Sequence, residues 1–246
     1  MNSYRYLAEV YDSLMYDSKG GEWFLYIQEL LIKAGVLPST RILETACGTG
    51  RITLPLARAG YDVVALDTSE EMLEVAGEKL RENALSAHLV CADMRDFCLP
   101  RPVGAVVSAC DGVNYLTGDG DARRFFEQCA KNLAPGGALL FDISSHKKLT
   151  QRMGNNVFFD DGEDVTCLWH SQLSGSLLHM DLTLFVREGG LYRRYDEEHL
   201  QKAYKIDEIE DLLLQSGFGA IESLEFQTRN KATEENERIQ FIAVRE

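Results

Sequence analysis

"ILETACGTGR", residues 42–51, is the stretch that decides the fold. A short apolar run, β-branched at Ile42, breaks into Cys47-Gly48-Thr49-Gly50. It then resumes as "RITLPLARAG" (51–60), whose apolar spacing is helical. A buried strand that runs straight into a glycine turn and then a helix opens a strand–helix–strand unit. Pro55 falls in the first turns of that helix, where a missing N–H removes no intrahelical bond. Two glycines are compatible with a tight turn that binds nothing. They equally suit a ligand lying against the backbone at the carboxyl end of the strand, the usual binding edge of an open α/β sheet.

Outward from this turn the same rhythm continues. "YDVVALD" (61–67) reads as a second buried strand and "SEEMLEVAGEKLREN" (69–83) as a helix with acids in its first turn. "AHLVCAD" (87–93), "GAVVSACD" (104–111) and "ALLFDIS" (138–144) read as further strands. The amphipathic "DARRFFEQCAKNLA" (121–134) is expected to stop at Pro135-Gly136-Gly137, and "EWFLYIQELLIKA" (22–34) at Gly35 and Pro38. Strands alternating with helices imply a parallel sheet with both faces covered, so each strand is continuously apolar. Between about 155 and 200 the pattern changes to strands joined by tight turns at Ser174-Gly175 and Gly189-Gly190. Alternation in "LHMDLTLFV" marks an antiparallel piece with one wet face. A helix, "KIDEIEDLLLQSG", and two strands, "FGAIESLEF" and "RIQFIAVRE", close the chain.

Composition narrows the function. The 246 residues are 45% hydrophobic and can bury a sizeable core. A net charge of −14 opposes a nucleic-acid or anionic-membrane partner, which would need a basic stripe. The six cysteines form no C-x-x-C and show no zinc or disulfide spacing, so reduced thiols and no metal are expected. "MNSYRYLAEVYD" carries charge where a signal peptide needs an apolar core, and no apolar run approaches the roughly 18 residues of a spanning helix. The expectation is a soluble, cytoplasmic protein.

A dinucleotide turn, G-x-G-x-x-G, fits in neither register. Ala46-x-Gly48-x-x-Arg51 puts alanine and arginine at the outer glycines, and Gly48-x-Gly50-x-x-Thr53 puts threonine at the last. A phosphate-binding loop needs a G-K-[ST] that is absent. The stretch instead resembles the first motif of the class I S-adenosylmethionine-dependent methyltransferases, in the form Glu44-x-Ala46-Cys47-Gly48-Thr49-Gly50, with Ala46 where the commonest form has glycine. The resemblance continues in order through "ALDTSEEML", "CADMRDF", "SACDGVNYL" (108–116) and "NLAPGGALLFDI".

That resemblance implies a Rossmann-like α/β fold: a seven-stranded, mostly parallel sheet with helices on both faces, plus an antiparallel β insertion after the fifth strand. It assigns residues 1–150 and 201–246 to the cofactor-binding core and 151–200 to the insertion, as substrate lid or dimer contact. It implies S-adenosyl-L-methionine as cofactor and S-adenosyl-L-homocysteine as product. Ala46, Cys47, Gly48 and Gly50 would border the methionine part, Asp67 with Thr68 the ribose, and Ala92, Asp93 and Met94 the adenine. A single carboxylate can accept both vicinal ribose hydroxyls. Glu44 could orient the loop or reach the cofactor's ammonium through water. Met72 could touch the adenine face or simply pack its helix, and Cys110 falls at the methionine end.

"YRYLAEVYDSLMYD" (4–17) and "YDEEHLQKAYKIDEIEDLLLQSGF" (195–218) resemble a narrower set of bacterial small-molecule methyltransferases and, more distantly, amino-sugar N-methyltransferases. By that likeness Tyr11 lies near the cofactor's carboxylate or the substrate. Among Tyr4, Tyr6, Tyr11 and Tyr16, helix packing or a cation–π contact to the sulfonium are both open. Methyl transfer from a sulfonium is an in-line displacement governed mainly by alignment and water exclusion. Asp111 and Asn114 could orient the acceptor or merely stabilise their loop. Tyr115 and His199 are the candidate substrate contacts. His146 and, less so, His199 could serve as a base, or be surface or structural histidines.

The expected function is methyl transfer to a small molecule, with nitrogen as acceptor atom. The alternatives are an O- or C-methyltransferase with His146 as base, a non-catalytic S-adenosylmethionine-binding regulator, and a Rossmann-type oxidoreductase. The chain is expected to act as a monomer or homodimer, with no nucleic-acid or membrane partner.

Overall fold

The computed structural model describes Ala8, Asp12 and residues 20–246. Tyr4, Tyr6, Tyr11 and Tyr16 lie outside the described residues. Five strands run parallel: β1 (Arg41–Thr45), β2 (Asp62–Asp67), β3 (His88–Cys91), β4 (Val103–Ser108) and β5 (Leu133–Ser144). With β10 (Phe218–Glu225) and β11 (Arg238–Arg245) they form one seven-stranded sheet, in the order β10-β11-β5-β4-β1-β2-β3. β11 runs antiparallel to both its neighbours, so the sheet is mixed but mostly parallel.

The helices α1 (Gly20–Lys33), α2 (Thr53–Arg58) and α3 (Glu70–Glu82) cover one face, and α4 (Asp121–Asn132) and α5 (Ile206–Gln215) the other. Successive residues of β1 show why. Ile42 packs with Trp23, Ile27 and Leu31 of α1 and Leu56 of α2. Leu43 belongs to the apolar cluster of the opposite face, which also holds Phe125 and Phe126 of α4 and Ile209 and Leu213 of α5. A strand buried on both faces must be apolar at both phases, and each such side chain contributes about 1.5–3 kcal/mol on burial. α3 starts where Ser69 Oγ accepts the Met72 N–H at 3.2 Å, and Glu70 and Glu71 complement its dipole.

Two sequence expectations change. β3 is not a doubly covered strand: it lies at one edge of the sheet, and Val90 is 41% exposed. Pro135-Gly136-Gly137 does not separate helix from strand either. β5 begins at Leu133, directly after α4, and the three residues are absorbed as a register shift against β4 between Val103↔Leu133 and Ala105↔Ala138. Gly136, at φ 76°, makes the kink possible.

After β5 the chain builds a separate antiparallel sheet, β6 (Val157–Asp161), β7 (Val165–Ser174), β8 (Leu177–Glu188) and β9 (Leu191–Lys202). Gly175 and Gly189, both at φ 62°, lead its two tightest hairpins. Along β9, alternation buries Glu197, His199 and Gln201 and leaves Glu198 exposed. Among the described residues no helix is long and apolar enough to cross a membrane.

Candidate active site

The sheet order reverses between β1 and β4, because the chain leaves β1 for β2 and β3 and returns on the other side to β4. Their carboxyl ends therefore diverge and leave a crevice. A cavity of about 360 Å³ opens there, a size suited to a small-molecule site.

Its first wall is the turn after β1. Ala46 and Gly48 both have φ 52°, a left-handed conformation that strains alanine by about 1–2 kcal/mol and glycine hardly at all. The Gly48 N–H donates to Asp67 Oδ2 at 2.8 Å, and the Ser69 N–H donates to Asp67 Oδ1 at 3.0 Å. Burial pushes the Asp67 carboxyl up, and these bonds pull it partly back. Above Gly48 there is room: a Cβ there would meet only Met72 Sδ, at 4.0 Å. Gly50 differs. A Cβ there would meet Leu54 Cδ1 at 2.9 Å and Ala76 Cβ at 3.1 Å, so this glycine lets α2 and α3 pack and does not line the cavity.

Behind the turn, Glu44 is buried and accepts a 2.5 Å hydrogen bond from the Thr53 hydroxyl. Burial, with Asp67 adding to it, raises its pKa from 4.5 to about 8 despite that bond. Glu44, Ala46, Cys47 and Gly48 line the cavity with Asp67, Thr68 and Met72 from the β2–α3 side. Ala92, Asp93 and Met94 line it after β3, and Cys110 and Tyr115 after β4. Tyr11 lies outside the described residues.

The turn after β4 is the most strained part of the site. Cys110 and Asp111 are consecutive left-handed residues, at φ 60° and 53°. Such a conformation persists only where the surroundings enforce it. Buried Asp142 enforces it here, accepting the Cys110 N–H at 2.8 Å and the Asp111 N–H at 3.1 Å. Arg238 of β11 donates to both Asp142 and Asp111, and its guanidinium lies 4.8 Å from the Trp23 ring. Gln201 Nε2 donates to Asp111 Oδ2 at 2.9 Å. Burial pushes the Asp111 carboxyl up, but Arg238, Lys148 and Gln201 outweigh it and hold it below its ordinary value.

These bonds bear on two residues for which acceptor orientation and loop stabilisation were both open, and they are of the loop-stabilising kind. Asp111 does not line the cavity; its oxygens serve Arg238 and Gln201. Asn114 is fully buried and also fails to line it. Its Nδ2 donates to the Ser144 and Lys202 carbonyls, and its Oδ1 accepts the Ser144 N–H. Both are braces between the turn, β5 and β9. His146 follows β5 half-buried, its carbonyl accepts from Thr150, and it too is absent from the cavity wall. His199 is one residue removed from the cavity, with its Nδ1 3.2 Å from the Tyr115 hydroxyl.

Sequence reasoning missed several participants. Arg95 donates from Nε to Asp93 Oδ1 at 2.9 Å and from Nη1 to Asp121 at 2.8 Å, forming a charged rim that holds Asp93 below its ordinary pKa. Its position two residues beyond Asp93 was a usable signal. Asp142 and Arg238 gave none, because they meet Asp111 only in space. Asp12 accepts from the Thr49 hydroxyl at 2.8 Å and pairs with Lys79, whose Nζ also donates to the Thr49 carbonyl at 3.0 Å.

A family profile described as a methyltransferase domain matches residues 42–137. YqeM of Bacillus subtilis (strain 168), provisionally named a methyltransferase, is 34% identical over 98% of this chain and 96% of its own. The crystal structure of an S-adenosylmethionine-dependent methyltransferase from Clostridium acetobutylicum ATCC 824 superposes with a TM-score of 0.90, at 32% identity and 98% coverage of both chains. The dTDP-3-amino-3,4,6-trideoxy-alpha-D-glucopyranose N,N-dimethyltransferase of Streptomyces venezuelae is 28% identical over 78% of this chain and 81% of its own. The chain belongs to the S-adenosylmethionine-dependent methyltransferases, and its cofactor is S-adenosyl-L-methionine.

The residues fit that cofactor. The carboxylate of Asp67 has lone pairs left for two hydroxyls after its two backbone bonds. Leu66, Met72 and Met94 offer apolar surface between the Asp67 and Asp93 carboxylates, and Glu44 stands at the inner end.

Proposed function

We propose that this enzyme methylates an amine nitrogen on a small-molecule acceptor. The observation that carries this reading is the likeness to an amino-sugar N,N-dimethyltransferase across more than three quarters of the chain, a span that takes in more than the cofactor motifs. When bound, S-adenosylmethionine supplies a methyl group already activated on a sulfonium. The protein's task is then to hold the acceptor in line and exclude water. Gly48 and Asp67 fix the cofactor, the Asp93–Arg95–Asp121 rim borders the adenine end, and the braced turn at 110–115 presents Tyr115 toward the acceptor. We assign the insertion of residues 151–200 the part of substrate lid or dimer contact. An amine needs less help from a base than a hydroxyl or carbon acid does, and His146 lies off the cavity wall. We place the reaction in the cytoplasm, with no nucleic-acid or membrane partner and the enzyme a monomer or homodimer.

The test is to incubate the enzyme and S-adenosylmethionine with matched amino-, hydroxy- and deoxy-sugar nucleotides and other small amines, following methylated product by mass spectrometry. Methylation confined to amine-bearing acceptors supports the reading. Turnover of hydroxyl acceptors alone contradicts it.

A further inference from the structure

Three consecutive inward positions of β9 carry Glu197, His199 and Gln201, all buried. The neighbouring inward positions of the same sheet carry Val165, Cys167 and Leu184, which form an ordinary apolar cluster. Burying an ionisable pair where apolar residues would pack costs stability, so its presence calls for a use. Gln201 has one, as a brace on Asp111. Glu197 and His199 point along a different line. Glu197 Oε2 lies 3.3 Å from His199 Nε2, with side chains 2% and 3% exposed. His199 Nδ1 lies 3.2 Å from the Tyr115 hydroxyl, and Tyr115 lines the cofactor cavity.

We propose that Tyr115, His199 and Glu197 form a proton relay that deprotonates the amine acceptor; this rests on the N-methylation reading above. The relay assigns the imidazole proton to Nε2, 3.3 Å from the Glu197 carboxylate though outside hydrogen-bond geometry with it, which leaves Nδ1 to accept the Tyr115 O–H. An amine arriving as ammonium gives a proton to the Tyr115 oxygen as the Tyr115 proton passes to His199 Nδ1. The imidazolium charge is then held by the Glu197 carboxylate. Nitrogen keeps the electron pair that forms the new C–N bond, and the pair of the broken C–S bond stays on sulfur. Tyr115 is the residue that touches the acceptor; His199 and Glu197 act through it. Among the described residues, those facing His199 include Glu197 on its own strand, Tyr115 on the turn, Met180 opposite on β8, and, beyond Gln201, Asp111 with Arg238 and Lys148.

The test needs no acceptor. Sinefungin carries an amine on carbon where the cofactor carries a methyl on sulfur, so its ammonium probes the relay directly. Sinefungin and S-adenosylhomocysteine are titrated calorimetrically into the wild type and into folded Tyr115→Phe, His199→Gln and Glu197→Gln, across a pH series. The expected result is a fall of at least about tenfold in the sinefungin-to-homocysteine affinity ratio for Tyr115→Phe and His199→Gln, the size of a lost charge-assisted hydrogen bond. Sinefungin affinity of the wild type falls as the medium acidifies and the relay fills with a proton, and His199→Gln abolishes that dependence. A ratio unchanged in all three variants overturns the relay while leaving the cofactor site intact. A wild type that binds neither ligand overturns the cofactor reading itself, and the relay with it.

Discussion

The Gly48 N–H donates to the Asp67 carboxylate at 2.8 Å, so the turn after β1 and the acid that ends β2 are one unit. Parallel pairing makes this possible: the register Thr45↔Leu66 delivers both strands to the same edge, and the Cys47 N–H extends the ladder by donating to the Leu66 carbonyl at 3.0 Å. This edge of the crevice is thus partly assembled by the backbone itself.

Glu44 gives stability a pH dependence of known sign. Its folded pKa, about 8, exceeds the ordinary 4.5, so the folded state binds more protons than the unfolded state between these values. Stability therefore falls as pH rises through that window. Glu44→Gln, which keeps an acceptor for Thr53, removes this loss. Relative to wild type it gains stability between pH 4.5 and about 8, by at most ~5 kcal/mol. Urea denaturation at both ends of the window measures it; a constant difference between the two proteins would contradict the prediction.

Arg238→Met leaves Asp111 and Asp142 buried without their shared cation and is expected to cost about 3–5 kcal/mol. Adding Asp111→Asn should recover part of that loss, since one stranded charge is gone, and a double-mutant cycle reads the coupling directly. Because Asp111 titrates below its ordinary value, its contribution is present at neutral pH and is lost on acidification below the usual carboxylate range.

Asp12 is tied to the glycine turn through Thr49 and Lys79. The pair is partly exposed, so Asp12→Ala should change global stability by less than ~1 kcal/mol. Its effect should appear at the site instead, as a several-fold weaker S-adenosylhomocysteine affinity that is less sensitive to salt than the wild type's. Equal affinity and equal salt dependence in the two proteins would remove Asp12 from the account.

The strands and the cofactor edge were legible because they rest on local pattern. Doubly buried strands are continuous apolar runs, and Ala46, Gly48, Asp67 and Asp93 each fall at a strand end. What was not legible depends on distance in the chain. Asp111 and Asn114 sit where acceptor contacts were expected, yet Arg238, Asp142 and Gln201 arrive from remote strands and claim their polar atoms as braces. Gly50 shows a further reason: a Cβ there would meet Ala76 and Leu54, a packing need that local sequence does not distinguish from the close approach of a ligand. The edge position of β3 could not be read from its own apolar residues, since strand order belongs to the whole sheet.

The most direct test of the cofactor site is calorimetric titration of S-adenosylhomocysteine into the wild type and into Asp67→Ala, with thermal unfolding confirming that both are folded. The account predicts micromolar-range binding that the substitution weakens by at least about tenfold, because the acceptor for the ribose hydroxyls and the anchor of the Gly48 N–H are lost together. Equal affinity in the two folded proteins would contradict it and move the cofactor out of the crevice between β1 and β4.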